Sequence, residues 1–323
     1  METEYLLAIE NKKETEYHLA SKSMKSIKRK LSGVFAPVVT PFKDDKLQLE
    51  SLRENIRKLN NTDLTGYFAL GSNGEFRSMS DEEQISVLKI FAQEKGEKVV
   101  MVGTSCESTK QTIEKTKKAA NMGFDFASIL TPCYFAKKMN DEILTGYYKR
   151  IADSSPVPIL IYNAPGFTGG VQVSPKAVQL LAHHENIVGI KDSSPAGPNR
   201  FLGQLDPAQE FYVLAGSANF FYPSLHLGAT GGILSLANAL PVPCCKLYQL
   251  FLEGAYNEAR ELHFRLQRLN GAVSGTYGVA GVKGAMDVTG FKGGEPRHPL
   301  VPITEAEKDE IRKKIIAEGF AID

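Results

Sequence analysis

The chain has 323 residues, 42% of them hydrophobic and 23% charged, which is typical of a globular protein with a large core. Its 38 lysines and arginines balance 37 aspartates and glutamates, and a net charge of +1 provides no general attraction to nucleic acid or to an anionic membrane surface. No apolar run reaches the roughly 18 residues that a membrane span requires, so collagen-like, disordered and membrane-spanning classes are excluded.

The first 32 residues differ from the rest of the chain. Glutamates and lysines are mixed up to residue 23, and a basic run over residues 25–30 precedes the first apolar segment. A transit peptide is poor in acidic residues and a secretory signal needs an uninterrupted apolar stretch, so neither is indicated and we expect a cytoplasmic protein. We interpret residues 1–32 as a solvated, poorly ordered arm or short helix.

From residue 33 onward one unit repeats: a short apolar run, a turn rich in Gly, Ser or Pro, and an amphipathic stretch. The apolar runs are 34–39, 67–70, 99–102, 126–130, 159–162, 187–191, 211–215 and 232–236. The predicted helices are 49–59, 81–93, 109–121, 142–154, 177–183, 199–205, 220–227 and 246–252, the second of which begins with a capping box at Ser80 and Glu83. Nearly continuous apolar strands alternating with helices indicate a parallel sheet, and eight units predict a (β/α)8 TIM barrel.

Three more helices are predicted after the eighth unit, over residues 255–269, 281–288 and 305–318. A doubly wound sheet is the structural alternative, but the Gly-x-Gly-x-x-Gly expected after its first strand is missing, and Pro37 to Pro41 stand there instead. We therefore predict an N-terminal arm over residues 1–32, an α/β barrel over residues 33–252 and a C-terminal helical appendage over residues 253–323.

The cysteines and histidines predict no metal site. The four cysteines form no Cys-x-x-Cys pair, and the six histidines form no His-Glu-x-x-His motif. Reduced, buried or surface thiols in a reducing compartment are therefore expected, without a disulfide framework or a metal cofactor.

The sixth predicted strand ends in a lysine. Period-two alternation places Ile187, Gly189 and Lys191 on one face. A strand-end lysine on its own is more often a surface charge or an ion-pair partner. If this face is the barrel interior, however, burial disfavours the charged amine and leaves a nucleophile that can form an imine.

Two other strand ends carry candidate groups. Tyr162 ends the fifth strand, where it could simply pack or could shuttle protons for an imine on Lys191. After the second strand, the segment GSNG at 71–74 could be a plain turn, or could point successive backbone N–H groups at a carboxylate or phosphate. Because function in a barrel resides at the C-terminal ends of the strands, the convergence of these three features favours an active site.

With these motifs the chain resembles the class I pyruvate-dependent aldolases, the superfamily of dihydrodipicolinate synthase and N-acetylneuraminate lyase. The resemblance extends from about Gly33 to the C-terminal helices. It is carried by GSNGE at 71–75, TPCY at 131–134, YNAP at 162–165 and GIKD at 189–192.

The resemblance implies a role for each of these positions. Lys191 would form a Schiff base with a 2-oxo acid, so that no cofactor is needed, and Tyr162 would be the acid/base. Ser72 and Asn73, in the loop that includes Gly74, would hold the substrate carboxylate.

The resemblance also implies an oligomer. Tyr134 would reach across a dimer interface towards the neighbouring site as a third catalytic residue, and the backbone at Ile233 would line the pocket. A homotetramer built from two dimers is expected.

Substrate choice depends on the residues around Phe167. Synthases of this superfamily that condense pyruvate with aspartate semialdehyde carry an arginine at this place, and a phenyl ring cannot replace a bidentate guanidinium.

The stretches 103–109, 131–134, 213–218 and 236–238 look most like 4-hydroxy-2-oxoglutarate aldolase, in which the serine at the place of Ser193 contacts substrate. We therefore expect a lyase that cleaves 4-hydroxy-2-oxoglutarate to pyruvate and glyoxylate. The alternatives are a 2-keto-3-deoxy sugar acid aldolase, a dihydrodipicolinate synthase, and a barrel that binds a keto acid without turnover.

Overall fold

The computed structural model describes residues 26–206 and 208–322. One parallel strand forms at each of the eight predicted apolar runs. The strands are β1 Gly33–Ala36, β2 Gly66–Ala69, β3 Val99–Gly103, β4 Phe126–Leu130, β5 Ile159–Asn163, β6 Ile187–Asp192, β7 Tyr212–Ala215 and β8 Gly231–Ile233. Each pairs with its neighbour in chain order, and β1 pairs with both β2 and β8, so the sheet closes into the predicted barrel.

A helix follows each strand. These helices are α1 Leu49–Asn60, α2 Asp81–Glu94, α3 Thr109–Asn121, α4 Asp141–Ser154, α5 Pro175–Leu181, α6 Asn199–Leu202, α7 Phe221–His226 and α8 Pro241–Leu252. The capping box predicted at the start of α2 is present, since Ser80 and Glu83 each accept a hydrogen bond from the other's backbone N–H. Helix α8 begins earlier than predicted because Pro241 occupies its first turn, where a missing N–H is harmless.

Three further helices cover the C-terminal part of the chain: α9 Tyr256–Asn270, α10 Thr276–Val288 and α11 Glu305–Ala317. A π-helical turn, Gly271–Gly275, joins α9 to α10. Helix α10 is interrupted at Gly278, whose φ of 58° and ψ of −140° are open to glycine but strained for other residues. The helix predicted from residue 281 covers only the regular part of α10, which lies beyond this break.

The register of β6 differs from the simple alternation that we predicted. Ile159 pairs with Ile187, but Leu160 pairs with Gly189, so β6 contains an extra residue. Ile187 therefore belongs to the apolar cluster that includes the buried face of α5, and the expectation that it shares the face of Lys191 is wrong. Beyond this irregularity Lys191 pairs with Tyr162 and faces the barrel interior.

The residues that the structure describes begin just before the predicted boundary between the N-terminal arm and the barrel. Residues 26–30 are helical, and Lys30 Nζ lies 2.7 Å from Asp125 Oδ1. Leu31 is buried just before β1. The rest of the expected arm, residues 1–25, lies outside the described residues. Within those residues, no helix combines the length and apolar character that crossing a membrane demands.

Candidate active site

Lys191 ends β6 inside the barrel. Its Nζ lies 4.1 Å from the centroid of the Tyr162 ring and 4.6 Å from that of Phe68, and the residue is only 4% exposed. Burial lowers the pKa of Lys191, an effect that the Tyr162 hydroxyl opposes only in part. No carboxylate among the described residues contributes to this shift. The geometry thus favours an uncharged amine.

The adjacent Asp192 does not act as a counterion for this amine. Asn163 Nδ2 donates to Asp192 Oδ1 over 2.5 Å, and Ser194 Oγ donates to Asp192 Oδ2 over 2.8 Å. Asn163 Oδ1 in turn accepts a hydrogen bond of 2.9 Å from the backbone of Val173. All of these groups are buried, so the network fixes the ends of β5 and β6 and gives each oxygen of the Asp192 carboxylate a hydrogen-bond donor.

Tyr162 ends β5 beside Lys191. Its ring packs edge-on against Phe68, with 5.7 Å between the ring centroids and 83° between their planes. Its hydroxyl lies 3.3 Å from Ser72 Oγ in the loop after β2. The phenol therefore lies between the amine and the predicted carboxylate-binding loop, within reach of a substrate bound to both.

The loop after β2 is held in shape at several points. Glu75 has a φ of 52°, in the left-handed region, and a Cβ added at Gly71 would lie 2.7 Å from the Phe68 ring. Thr40 Oγ1 donates to the carbonyl of Gly74 over 2.8 Å. Asn73 Nδ2 donates to Ser235 Oγ over 2.8 Å, which ties the loop to the segment after β8.

A buried ion pair anchors the end of this loop. Lys283 Nζ on α10 lies 2.5 Å from Glu75 Oε1 and also donates to the carbonyls of Thr40 and Glu295, each over 2.7 Å. Glu75 Oε2 accepts a hydrogen bond of 2.8 Å from the backbone of Arg297. Burial lowers the pKa of Lys283, and the Glu75 charge opposes this shift.

These groups surround a cavity of about 800 Å³. Six of the predicted site residues line it: Ser72, Asn73, Tyr162, Phe167, Lys191 and Ser193. Gly74 and Ile233 do not. The carbonyl of Gly74 is engaged by Thr40, and Ile233 is buried in the β1–β8 pairing, while Ser235, two residues further on, reaches the cavity.

Tyr134 also lies away from the cavity of its own chain. Its side chain is 79% exposed and packs edge-on against Phe135. Glu107 Oε2 accepts hydrogen bonds of 2.8 Å from the backbone N–H groups of both Cys133 and Tyr134, which fixes this loop. Burial raises the pKa of Glu107, but its hydrogen bonds outweigh that effect and the pKa is lowered overall. A role in a neighbouring site remains a prediction.

Sequence reasoning missed several lining residues. They are Arg77 near β2, Ser217 after β7, Ser235 after β8, Asn270 on α9 and Tyr277 on α10. Because functional groups in a barrel lie at the C-terminal ends of the strands, Ser217 and Ser235, which follow strand ends, could have been predicted. Nothing in the sequence signals that α9 and α10 reach the mouth. In residues 26–206 and 208–322 no group of three or more His, Cys, Asp or Glu side chains could hold a metal ion.

The architecture and these motifs agree with comparisons to known proteins. The sequence model of the dihydrodipicolinate synthetase family matches residues 30–318. The chain belongs to this family. Its members are pyruvate-dependent carbon–carbon lyases, so the protein is an enzyme of that class, and the superfamily resemblance is confirmed.

Relatives within the dihydrodipicolinate synthetase family align along most of the chain. A 4-hydroxy-tetrahydrodipicolinate synthase of Methanothrix thermoacetophila is 35% identical over 283 residues, which cover 87% of this chain and 94% of the relative. An uncharacterised DapA-like lyase of Halobacterium salinarum is 32% identical over 293 residues, or 90% and 95% of the two chains. The crystal structure of a Thermotoga maritima dihydrodipicolinate synthase superimposes with a TM-score of 0.83 at 29% identity, covering 90% of this chain and 99% of that one.

Proposed function

We propose that this enzyme is a class I aldolase that forms a Schiff base through Lys191 and cleaves 4-hydroxy-2-oxoglutarate to pyruvate and glyoxylate. One observation carries the proposal: the Lys191 amine is buried, has its pKa lowered by that burial, and faces the Tyr162 phenol instead of a carboxylate. An amine that burial makes harder to protonate is a better nucleophile, and the covalent imine replaces a metal or organic cofactor.

The first step is imine formation. The substrate's C1 carboxylate rests on the loop at Ser72 and Asn73, where backbone N–H groups and the Ser72 hydroxyl are available. The lone pair of Lys191 Nζ attacks the C2 carbonyl, and Tyr162 protonates the carbonyl oxygen. The resulting carbinolamine loses water and becomes a protonated imine, which withdraws electrons from the adjacent carbons.

The second step breaks the carbon–carbon bond. A base removes the proton of the C4 hydroxyl, the C3–C4 electron pair moves onto the iminium nitrogen, and glyoxylate leaves. The enamine is then protonated at C3, and one water hydrolyses the pyruvate imine and restores the amine. We assign the proton transfers to Tyr162, relayed by Tyr134 of a neighbouring subunit.

The choice of aldehyde rests on two side chains that line the cavity. Phe167 stands where aspartate semialdehyde-binding synthases are expected to have arginine, and Ser193 stands where the aldolase has its substrate-binding serine. The second candidate is condensation of pyruvate with aspartate semialdehyde, favoured by 4-hydroxy-tetrahydrodipicolinate synthases that are up to 35% identical to this chain. A 2-keto-3-deoxy sugar acid is the third possible partner.

Borohydride trapping tests the imine. Wild-type enzyme incubated with pyruvate and then reduced is expected to carry one adduct on the peptide that contains Lys191, and Lys191→Met is expected to carry none. Lys110→Met is the matched control, because the Lys110 side chain is 86% exposed. No adduct in the wild type at saturating pyruvate would favour a keto-acid-binding barrel without turnover.

A substrate panel tests the specificity. We expect kcat/KM for 4-hydroxy-2-oxoglutarate to exceed that for 2-keto-3-deoxygluconate, and condensation with aspartate semialdehyde to be slower still. A tenfold preference corresponds to about 1.4 kcal/mol of transition-state binding. A tenfold preference for either alternative substrate would refute the assignment without affecting the imine.

The oligomer is part of the proposal. The exposed side chains of Tyr134 and Phe135 lie on the loop that Glu107 fixes, and a partner subunit covering them would bring Tyr134 to its site. We propose a homotetramer of two such dimers. Light scattering measures the mass, and a fully active monomer would contradict a relay through the neighbouring Tyr134.

A further inference from the structure

The site cavity contains very little positive charge. In the part of the chain that the structure describes, Lys191 and Arg77 are the only lysine and arginine among its lining residues. Lys191 is consumed by the imine, whose positive charge lies at C2 of the substrate. Two acidic residues also line the cavity, but Lys283 neutralises Glu75 and the capping box of α11 engages Glu307. Among these lining residues Arg77 is therefore the one cation that remains for the far end of a substrate.

Arg77 is partly held and partly free. It lies in the short helical turn Phe76–Ser78, just after the loop that carries Ser72 and Asn73. Its Nη2 lies 3.1 Å from Glu107 Oε1 and 3.8 Å from Cys133 Sγ. Among the described residues no acceptor binds its Nη1 or Nε, and the side chain is 46% exposed. One edge of the guanidinium fork is thus anchored while the remaining donors stay available.

The anchoring carboxylate leaves room for a second anion. Both oxygens of Glu107 are occupied, since Oε2 accepts two backbone N–H groups and Oε1 faces Arg77 and the Cys133 thiol. Glu107 thus positions the guanidinium without covering all five of its donors. A planar, permanently charged fork with a free edge matches the geometry of a carboxylate.

We infer that Arg77 binds the distal carboxylate of the substrate, so that the enzyme selects aldehydes that carry a carboxylate over neutral aldehydes. This inference rests on the proposed aldolase function, because the distal carboxylate is the one that leaves as part of the aldehyde. The Ser72–Asn73 loop holds one end of the substrate, Lys191 binds C2, and Arg77 holds the other end.

The test measures aldol condensation in the synthetic direction at saturating pyruvate. Glyoxylate is the anionic aldehyde, and glycolaldehyde is a neutral aldehyde of the same carbon number. In Arg77→Met we expect the ratio of kcat/KM for glyoxylate to that for glycolaldehyde to fall about 10- to 100-fold, the loss expected for one charged hydrogen-bond partner. Arg77→Lys keeps the charge without the fork and should retain part of the preference.

The matched control is Arg57→Met. Arg57 also pairs with a carboxylate, that of Glu94, but on α1 away from the cavity, so the ratio should equal that of the wild type. A merely structural Arg77 would lower the rates with both aldehydes equally, and an unchanged ratio overturns the inference. Borohydride trapping on the same variants separates the two proposals: an adduct with an unchanged ratio refutes only the role of Arg77, whereas no wild-type adduct refutes the aldolase.

Discussion

Removing the amine of Lys283 tests whether a buried ion pair supports the loop after β2. In Lys283→Met the Glu75 carboxylate stays in the interior without its cation, since the two side chains are only 1% and 3% exposed. The carbonyls of Thr40 and Glu295 also lose a donor. Methionine has a similar shape, so the change removes charge and hydrogen bonds while preserving most of the packing.

The expected loss follows from the cost of an uncompensated buried charge. Removing one partner of a buried pair costs about 3–5 kcal/mol. An unfolding entropy of about 2.1 cal/mol/K per residue amounts to about 0.7 kcal/mol/K over 323 residues, so Tm should fall by about 4–7 °C. Because the loop carries Ser72 and Asn73, we also expect KM for pyruvate to rise.

Differential scanning fluorimetry provides Tm, and the double variant Glu75→Gln, Lys283→Met separates charge from packing. We expect it to recover at least half of the lost Tm, because the stranded carboxylate is gone. Lys313→Met is the control: its pair with Glu310 is exposed, so stability should change by less than about 0.5 kcal/mol. A drop of under 1 °C in Lys283→Met, or no recovery in the double variant, would refute the reasoning.

Three further predictions concern the proposed reacting groups. Tyr162→Phe should retain the pyruvate adduct while turnover falls about 10²- to 10⁴-fold, and wild-type turnover would exclude the proton-transfer role. The initial rate of adduct formation should rise with pH around a midpoint below 10.5, because burial lowers the pKa of Lys191. Between the lowered pKa of Lys191 in the folded chain and the ordinary lysine pKa in the unfolded chain, the unfolded chain binds more protons than the folded one. The free energy of unfolding should therefore rise with pH in this range, and denaturant titrations should show no such rise in Lys191→Met. Gly71→Ala should slow adduct formation, because its Cβ would press on the Phe68 ring beside Lys191, whereas Gly203→Ala meets open space and should not. Equal rates in the two glycine variants would show that this contact is unimportant.

The barrel was predictable because its signals are local. Each strand is buried on both faces, so each reads as a continuous apolar run, and the turn and cap residues between runs mark the helices. Strand order then follows from the right-handed connection of neighbouring parallel strands. The sequence could place Lys191 and Tyr162 side by side for the same reason: both end strands, and the strand ends meet at one mouth.

Other features depended on chain segments that are far apart in sequence. The extra residue in β6, which places Ile187 on the other face, is defined by the register between β6 and β5. The sequence of one strand does not determine that register. The ion pair of Glu75 with Lys283 required α10 to pack under the loop after β2.

The chain by itself therefore determined the barrel, its closure and the position of Lys191 and Tyr162 at neighbouring strand ends, because hydrophobic periodicity and strand ends are properties of short segments. Only the tertiary structure decided that Lys191 meets no acidic partner among the described residues, and that Arg77 is anchored by Glu107 with donors left free. Charge and hydrogen bonding act between atoms a few ångströms apart, and folding alone brings such atoms together from separate strands and loops.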